Sequence, residues 1–446
     1  MTKVITRFPP SPTGEIHIGN MRTMLFNYLY AKYFNGEIFL RFEDTDKERS
    51  KKEYESIVID GLHALGLNFD HGPFRQSERG AIYKEKLLEL IKLGRAYEAE
   101  DSLGGSGKAI RFKNPNKIIT FDDKVRGHVS IDSSIFGDFV IARNIDNPIY
   151  HFAVVVDDMD MGVTHIIRGE DHITSTPRQI LLLEALGGNI PVYAHLPLIV
   201  GEDKKKLSKR HGATSVSGFL KQGYLPSALV NYLAFLGWNP GGEREIYSLK
   251  ELTEIFGLDR VGKNPAKFDY NKLNNINYHY MINLSEDEYR TNLFMFLNEE
   301  YSKLFNANFT ISNTVIQNVI KPRIKKFSEV SDMITNGELD YFFKKPPVNY
   351  DLIRFKTDSI EKTKSILEKL KVLIGNISSN DWNTDGLKNN ISTLFTEYGV
   401  GNVLHPLRVV LSGKKESPDP FTLSYILGKK ETLERIDSCL AKPNNL

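Results

Sequence analysis

A single cysteine, Cys439, stands among 446 residues. It excludes an intrachain disulfide, and it excludes any zinc or iron–sulfur centre built on cysteine clusters. No apolar run approaches the roughly 20 residues that a bilayer-spanning helix needs, so no membrane partner is expected. The opening MTKVITRF has no basic segment leading into an apolar one, and a cytoplasmic location is the expectation. Neither sign of charge dominates. Lys and Arg number 58 against 56 Asp and Glu, a net charge of +2. A nucleic-acid partner would therefore have to be held by basic residues gathered on one face. No internal repeat of fixed period is present. At 41% hydrophobic and 26% charged, the chain has the composition of folded cores rather than of disorder. Its length suggests two to four domains.

KVITRF reads as a short strand, followed by a turn and an amphipathic helix from about Ile18 to Phe34. EIFLRF, Glu37 to Phe42, reads as a second strand ending in acidic residues. EYESIVIDGLHALGL and IYKEKLLELIKLG read as helices ending at Gly66 and Gly94. Strands alternating with helices at this spacing predict a parallel sheet with crossover helices. The pattern breaks at EDSLGGSGKAIRF, after which short antiparallel strands are expected. A buried-strand signal returns in IYHFAVVVDDMDMGVTHIIRGEDH. PRQILLLEALG is then a helix and AHLPLIV a strand. From about Ser227 onward the periodicity is helical. NTVIQNVIKPRIKKFSEVSDMI, DSIEKTKSILEKLKVLI, GLKNNISTLFTEYG and KETLERIDSCLA all carry it. The expected fold is an α/β, Rossmann-like parallel-sheet domain, split by an α+β insertion and followed by an all-α region.

Two stretches carry chemistry. In PSPTGEIHIGN a Pro- and Gly-rich turn leads from the first strand into the first helix. A helix N-terminus presents N–H groups and a partial positive charge, which suits phosphate. His17 can donate to phosphate oxygens, Asn20 lies near it on the first turn, and Gly19 leaves room for a ligand. Taken alone, His17 and Asn20 read better as helix caps. The second stretch is KKLSKRHGA, Lys205 to Ala213. Lys206 and Lys209 flank Ser208, and two ammonium groups on a loop can close over a polyphosphate. Taken alone, a lysine run is a solvated loop. Three other patterns are set aside. GGSGKA lacks the first Gly and the final Ser or Thr of a phosphate loop and reads as a flexible linker. EDTD and VVDDMD lack spaced metal partners and read as substrate contacts, caps and turns. His211 reads as a loop residue.

Together the two stretches resemble the HIGH and KMSKS motifs of class I aminoacyl-tRNA synthetases, in the expected order at either end of a split α/β domain. PSPTG, RFEDTD, YHFAVVVDD, THIIRGEDH, STPRQ, NYLAFLGWNP and HPLRVVLSGKKESP resemble the glutamyl-tRNA synthetases of bacteria, nearly end to end. The resemblance implies a glutamate–tRNA ligase that forms glutamyl-adenylate from L-glutamate and ATP with Mg²⁺, then transfers it to tRNA(Glu), with tRNA(Gln) a second candidate. A monomer is the expected state. Arg7, Ser11, Glu43, Tyr150 and Arg168 would bind glutamate, Glu43 facing its ammonium. Pro10, Thr13, Gly14, His17, Gly19, Asn20, Glu170, Leu207, Ser208 and Lys209 would face ATP. His17, Asn20, Lys206 and Lys209 would serve catalysis. The implied domains are a catalytic domain at 1–75 and 149–202, an acceptor-binding insertion at 76–148, a KMSKS loop and stem-contact domain at 203–309, and a helical anticodon-binding domain at 310–446.

The chain departs from the family in two places. Asn20 closes the first motif and KLSKR stands for the second. More substantially, EAEDSLGGSGKAIRF replaces a longer segment that sometimes carries zinc-binding cysteines, so no zinc is expected. Amino-acid activation should then survive better than transfer to tRNA. Glutaminyl-tRNA synthetase is the near rival. It carries Glu-Pro-Asn where this chain has Ser11, Pro12 and Thr13, and a β-barrel anticodon region where this one reads as helical. The shorter glutamylating enzyme that modifies a tRNA base lacks the C-terminal region. A silent tRNA-binding paralogue would not be expected to retain Arg7, His17, Glu43 and Lys209. For the anticodon, IKPRIKKF offers Lys321, Arg323, Lys325 and Lys326, with Arg323 foremost; residue by residue, a solvated basic helix is the simpler reading.

Overall fold

A computed structural model describes residues 3–45, 49–100, 108–207 and 214–441. The chain divides into two compact units, residues 1–280 and 281–446.

The first unit is built on parallel strands. β1 (Ile5–Phe8), β2 (Glu37–Phe42) and β3 (His71–Arg75) form one parallel set in that order. β10 (His165–Gly169) and β11 (Val192–Leu196) form another. The Thr164 N–H donates to the Ile5 carbonyl at 3.0 Å, which joins the second set to the β1 edge. α1 (Ile18–Tyr33) crosses from β1 to β2. It is not amphipathic as expected. Ile18, Met21, Met24, Leu25, Phe26 and Leu29 are all fully buried, so it is a central helix covered on nearly every side. Asn27 pins it, its amide donating to the Ile167 carbonyl of β10 at 3.0 Å.

α2 (Lys52–Ala64) and α3 (Gly80–Lys92) end as their glycines predict. Gly66 and Gly94 take φ of +72° and +67°. The Leu67 and Arg95 N–H groups reach back to the Leu62 and Leu90 carbonyls, each at 2.9 Å, closing the last turns.

The insertion is antiparallel. β4 (Ala96–Glu100), β5 (Lys108–Phe112), β8 (Phe139–Asn144) and β9 (Asn147–Pro148) form one sheet. β6 (Ile118–Asp123) and β7 (Gly127–Asp132) form a hairpin. The GGSG bridge lies outside the described residues; on either side of it Glu100 pairs with Lys108.

A second expectation fails. The stretch read as a buried strand is a helix, α4 (Tyr150–Asp160), and only the following β10 is a strand. Phe152 through Val156 are all buried. A continuous apolar run fits either element when every face is covered, so periodicity could not separate them. α4 packs with α5 (Thr176–Ala185) into one core with α3 and the insertion's sheet, through Tyr83, Leu87, Phe112, Ile141, Val155 and Leu182.

In the second unit the described residues hold helices and turns. The longest helices are Ile360–Asn376, Thr384–Tyr398, Val400–Ser412 and Pro420–Leu440, the last kinked at Gly428. The expected helix through IKPRIKKF is broken. Phe309–Val315 runs into a wide turn at Ile316–Ile320, and the next helix starts at Glu329. Pro322 supplies no N–H to carry the ladder on.

Candidate active site

Arg7 nears the end of β1, Glu43 follows β2 and Arg168 nears the end of β10, so all three stand at carboxyl ends of parallel strands. They line one cavity of about 660 Å³. Pro10, Ser11, Thr13, His17, Gly19, Asn20, Tyr150, Lys206 and Leu207 line it too. Gly14 and Glu170 are absent from its walls. Glu170 is engaged elsewhere: its carboxylate pairs with Arg126, and Oε1 accepts from the Leu198 N–H at 2.8 Å. Ser208 and Lys209 lie outside the described residues.

His17 caps α1. Its Nδ1 accepts from the Gly19 N–H at 3.2 Å, which leaves the ring proton on Nε2. Burial first, and then Lys206, lowers its basicity, against a hydrogen bond to the Leu207 backbone. His17 thus caps the helix and lines the cavity with one side chain. The Ile18 N–H is taken by the Thr214 carbonyl at 2.7 Å. With Gly19 also committed, the helix start offers less open backbone than its position alone implied. A Cβ on Gly14 would meet nothing within 4 Å, and one on Gly19 only His17 Nδ1 at 3.5 Å. The space beside Gly19 belongs to the cavity, and that beside Gly14 is open but lies off its walls.

The glutamate-pocket candidates are buried and strongly coupled. Arg7 Nε meets Asp158 Oδ2 at 3.3 Å, and Arg41 Nη1 meets Asp158 Oδ1 at 2.8 Å. Arg41 also lies 3.4 Å from Asp157 and 3.9 Å from Glu43. Burial opposes the Arg41 charge, yet Asp158, Asp157 and Glu43 together hold it firmly protonated. Burial pushes Glu43 up to about 7, despite Arg41 and Arg7. Burial, with Glu43 nearby, pushes Tyr150 up to about 12. Six atoms in this group are buried without a hydrogen-bond partner: Arg7 Nη1, Arg168 Nη1, Arg41 Nε and Nη2, Glu43 Oε1 and Asp158 Oδ1. The last four lie in the ion pairs around Arg41, which leaves Arg7 Nη1 and Arg168 Nη1 with neither a hydrogen bond nor an ion pair. Two cationic donors left unmet inside a cavity are costly to a folded protein, and a ligand carrying carboxylates would satisfy them.

Sequence reasoning missed Arg41, Asp157, Asp158, Asp123 and His195. The VVDDMD aspartates do not sit in turns. Asp157 is fully buried within α4 and receives Arg79 Nε at 2.6 Å, the Gln76 amide at 2.8 Å and the Tyr83 hydroxyl at 2.9 Å. An acidic pair inside an apolar run was the available signal, since buried carboxylates need cationic partners.

In the second unit, the Lys321 ammonium lies 5.2 Å from the centre of the Tyr289 ring, and Arg323 pairs with Glu338. The Lys325 N–H donates to Glu329 at 2.6 Å.

The chain matches the family model described as tRNA synthetases class I (E and Q), catalytic domain, over residues 3–104 and 100–275. It matches an anticodon binding domain over 293–440. The glutamate–tRNA ligase of Legionella pneumophila (strain Paris) is 38% identical over 476 aligned residues, covering 98% of both chains. That of Desulforamulus reducens is 37% identical, covering 97% of this chain and 99% of the relative. The Legionella alignment is at least 30 positions longer than this chain, and the catalytic-domain match breaks at 100–104. A crystal structure of a glutamate tRNA ligase from Elizabethkingia meningosepticum, in complex with its amino acid, superposes with a TM-score of 0.83 at 30% identity, covering 98% and 99% of the two chains. A parallel-sheet domain with its cavity at the strand ends, a helical C-terminal region and near-complete coverage at this identity place the chain in the glutamate–tRNA ligase family of class I synthetases.

Proposed function

We propose that the protein activates L-glutamate with ATP and transfers it to the 3′ end of tRNA(Glu). The observation that carries this reading is the pair of buried guanidinium nitrogens without a partner, Arg7 Nη1 and Arg168 Nη1, lining one cavity with the buried Glu43 carboxylate. Their chemistry matches a dicarboxylic amino acid: guanidinium donors for carboxylates and a carboxylate for the ammonium. Ser11 and Tyr150 complete that pocket.

The glutamate α-carboxylate, already ionised, attacks the α-phosphate of ATP in line, and pyrophosphate leaves. A ribose hydroxyl of the terminal adenosine then attacks the mixed anhydride and releases AMP. Positioning and electrostatics supply the acceleration. His17 donates from Nε2 toward the phosphates once it gives up its hydrogen bond to the Leu207 backbone, Asn20 and Thr13 flank it, and Lys206 with Lys209 offsets developing charge. Pro10, Gly14, Gly19, Leu207 and Ser208 shape the nucleotide's space, and Glu170 sits at its edge. Mg²⁺ belongs to the nucleotide in this reading and would offset charge on the leaving pyrophosphate; among the described residues no group of three His, Cys, Asp or Glu is arranged to cage it. Residues 310–446 read the anticodon, with Lys321, Arg323, Lys325 and Lys326 as candidates, and 203–309 contacts the stem. The chain works as a monomer in the cytoplasm.

Aminoacylation with radiolabelled glutamate, on tRNA(Glu) and tRNA(Gln) in parallel, tests the proposal. Charging of tRNA(Glu) alone marks a discriminating enzyme, and charging of both a non-discriminating one. Adenylate formation without charging would assign the loss to the GGSG bridge. Neither adenylate nor charging would refute the proposal.

A further inference from the structure

The insertion reaches one residue of the pocket through a buried chain of hydrogen bonds. Asp123 closes β6 and opens the turn to β7. Its Oδ1 accepts from the N–H groups of Val125 and Arg126, at 2.9 and 2.8 Å, and from that of His195 at 3.2 Å. Its Oδ2 accepts from His195 Nδ1 at 2.6 Å. His195, in β11, is fully buried, and Asp123 is only 4% exposed. The other ring nitrogen, Nε2, faces Arg168 Nε at 3.2 Å and Thr176 Oγ1 at 3.0 Å. Arg168 Nη2 donates to the same Thr176 hydroxyl at 2.8 Å. Two of the three guanidinium nitrogens are thus held, and the third, Nη1, is the unpartnered one.

This arrangement dictates a tautomer. An arginine Nε can only donate, so His195 Nε2 must accept. The ring proton then sits on Nδ1, against the Asp123 carboxylate. We infer that Asp123 and His195 are positioning residues for glutamate binding: the turn of the inserted hairpin selects the imidazole tautomer, and the imidazole aims Arg168 at a substrate carboxylate. This rests on Arg168 being a carboxylate ligand. The next residue but two along the same turn, Arg126, pairs with Glu170, which holds the Leu198 N–H on the cavity wall.

Asp123→Asn separates positioning from mere support. The Val125 and Arg126 N–H groups both point at Oδ1, while the His195 N–H is shared between Oδ1 at 3.2 Å and Oδ2 at 3.1 Å, so the asparagine oxygen is drawn to the Oδ1 position and its NH₂ is left facing Nδ1. The ring must then carry its proton on Nε2, where it opposes Arg168 Nε–H. The same isosteric logic applies wherever a carboxylate fixes a histidine tautomer.

The experiment is ATP–pyrophosphate exchange with tRNA(Glu) present, together with ¹⁵N NMR of imidazole-labelled full-length protein, His195 being assigned by the signal lost in His195→Gln. The expected result is a neutral Nδ1–H ring in the wild type and an Nε2–H ring in Asp123→Asn. That variant's KM for glutamate should rise at least tenfold, with the KM for ATP unchanged and a melting temperature close to wild type. Lys124→Ala, in the same turn, should change neither KM. A wild-type ring protonated on Nε2 overturns the inference without any variant, so failure of Asp123→Asn to fold does not protect it. An unchanged glutamate KM in folded Asp123→Asn also overturns it. Arg168→Lys keeps the two levels apart. If its glutamate KM is unchanged, Arg168 is not the carboxylate ligand and the underlying reading fails. If that KM rises while Asp123→Asn is silent, only the positioning inference fails.

Discussion

Glu43→Gln should stabilise the free protein while disabling it. Burial raises Glu43 from an ordinary 4.5 to about 7. The folded chain therefore holds this proton more tightly than the unfolded chain. The contribution to stability is most favourable below pH 4.5 and declines as pH climbs to 7. Above that a constant penalty remains, on the order of 3 kcal/mol for a shift of this size. Glutamine keeps the shape and removes the titrating charge. Arg41 is not stranded, because Asp157 and Asp158 stay beside it. Thermal melts of the apo-protein should show the variant above wild type at pH 8 by several degrees in the N-terminal unit's transition, and level with it near pH 5. Glutamate binding should move the other way. Wild-type kcat/KM for glutamate should climb about tenfold per unit up to pH 7 and then level. The variant should lose that slope and roughly 30- to 100-fold of activity, the worth of one charged hydrogen bond of ~2–3 kcal/mol. A variant that melts as far below wild type at pH 8 as at pH 5 would show that Glu43 is a structural ion-pair member and not a strained binding group.

The same site makes four further predictions. Arg7→Lys, which keeps charge but loses the planar fork, should raise the glutamate KM in pyrophosphate exchange by at least tenfold and leave the ATP KM alone; equal rises in both would deny it a carboxylate role. Gly19→Ala should fold normally, since its Cβ meets only His17 Nδ1 at 3.5 Å, yet raise the KM for ATP, whereas Gly36→Ala should destabilise the chain because its Cβ would fall 2.1 Å from the Val4 carbonyl oxygen. Lys209→Ala should cut pyrophosphate exchange by orders of magnitude; retained exchange would remove the KLSKR loop from the chemistry. Glutamine should be activated roughly 10⁴-fold less efficiently than glutamate, measured as kcat/KM for exchange, because it leaves a buried guanidinium without its carboxylate.

Local patterns were legible where local physics decides. The second strand runs from Glu37 to Phe42 as read, and the first helix begins at Ile18 as read. Gly66 and Gly94 end their helices because the closing turn takes a left-handed φ, which glycine, lacking a Cβ, adopts without strain. Tyr150–Asp160 defeated the pattern because burial on every side erases periodicity. The site was legible in its motifs, which gather Arg7, Ser11, His17, Glu43, Tyr150 and Arg168 around one cavity. Its supports were not. Asp123 and His195 are 72 residues apart, and nothing in either neighbourhood announces the other. Arg41 sits in a strand where an arginine would ordinarily face water. Its partners Asp157 and Asp158 become visible only once the chain has folded.

The buried charges explain how such a pocket can both fold and bind. Arg7, Arg41 and Arg168 are cationic; Asp158 is held well below the usual carboxylate range by Arg7 and Arg41, against the pull of burial. Asp157 shares Arg41 with it and takes Arg79 from the other side. Glu43 is the member whose charge is not settled by the fold, because its site is drier than its cations can offset. While it holds a proton, the pocket has an excess of positive charge and favours an anion. In the binding mode proposed above, a dicarboxylic amino acid brings one net negative charge together with an ammonium, and that ammonium would supply what Glu43 lacks to ionise. Binding and ionisation then reinforce one another. A removable proton on Glu43 lets an apo-pocket with unmet guanidinium donors persist, whereas a fixed charge there would be one more buried ion needing a partner in the empty site.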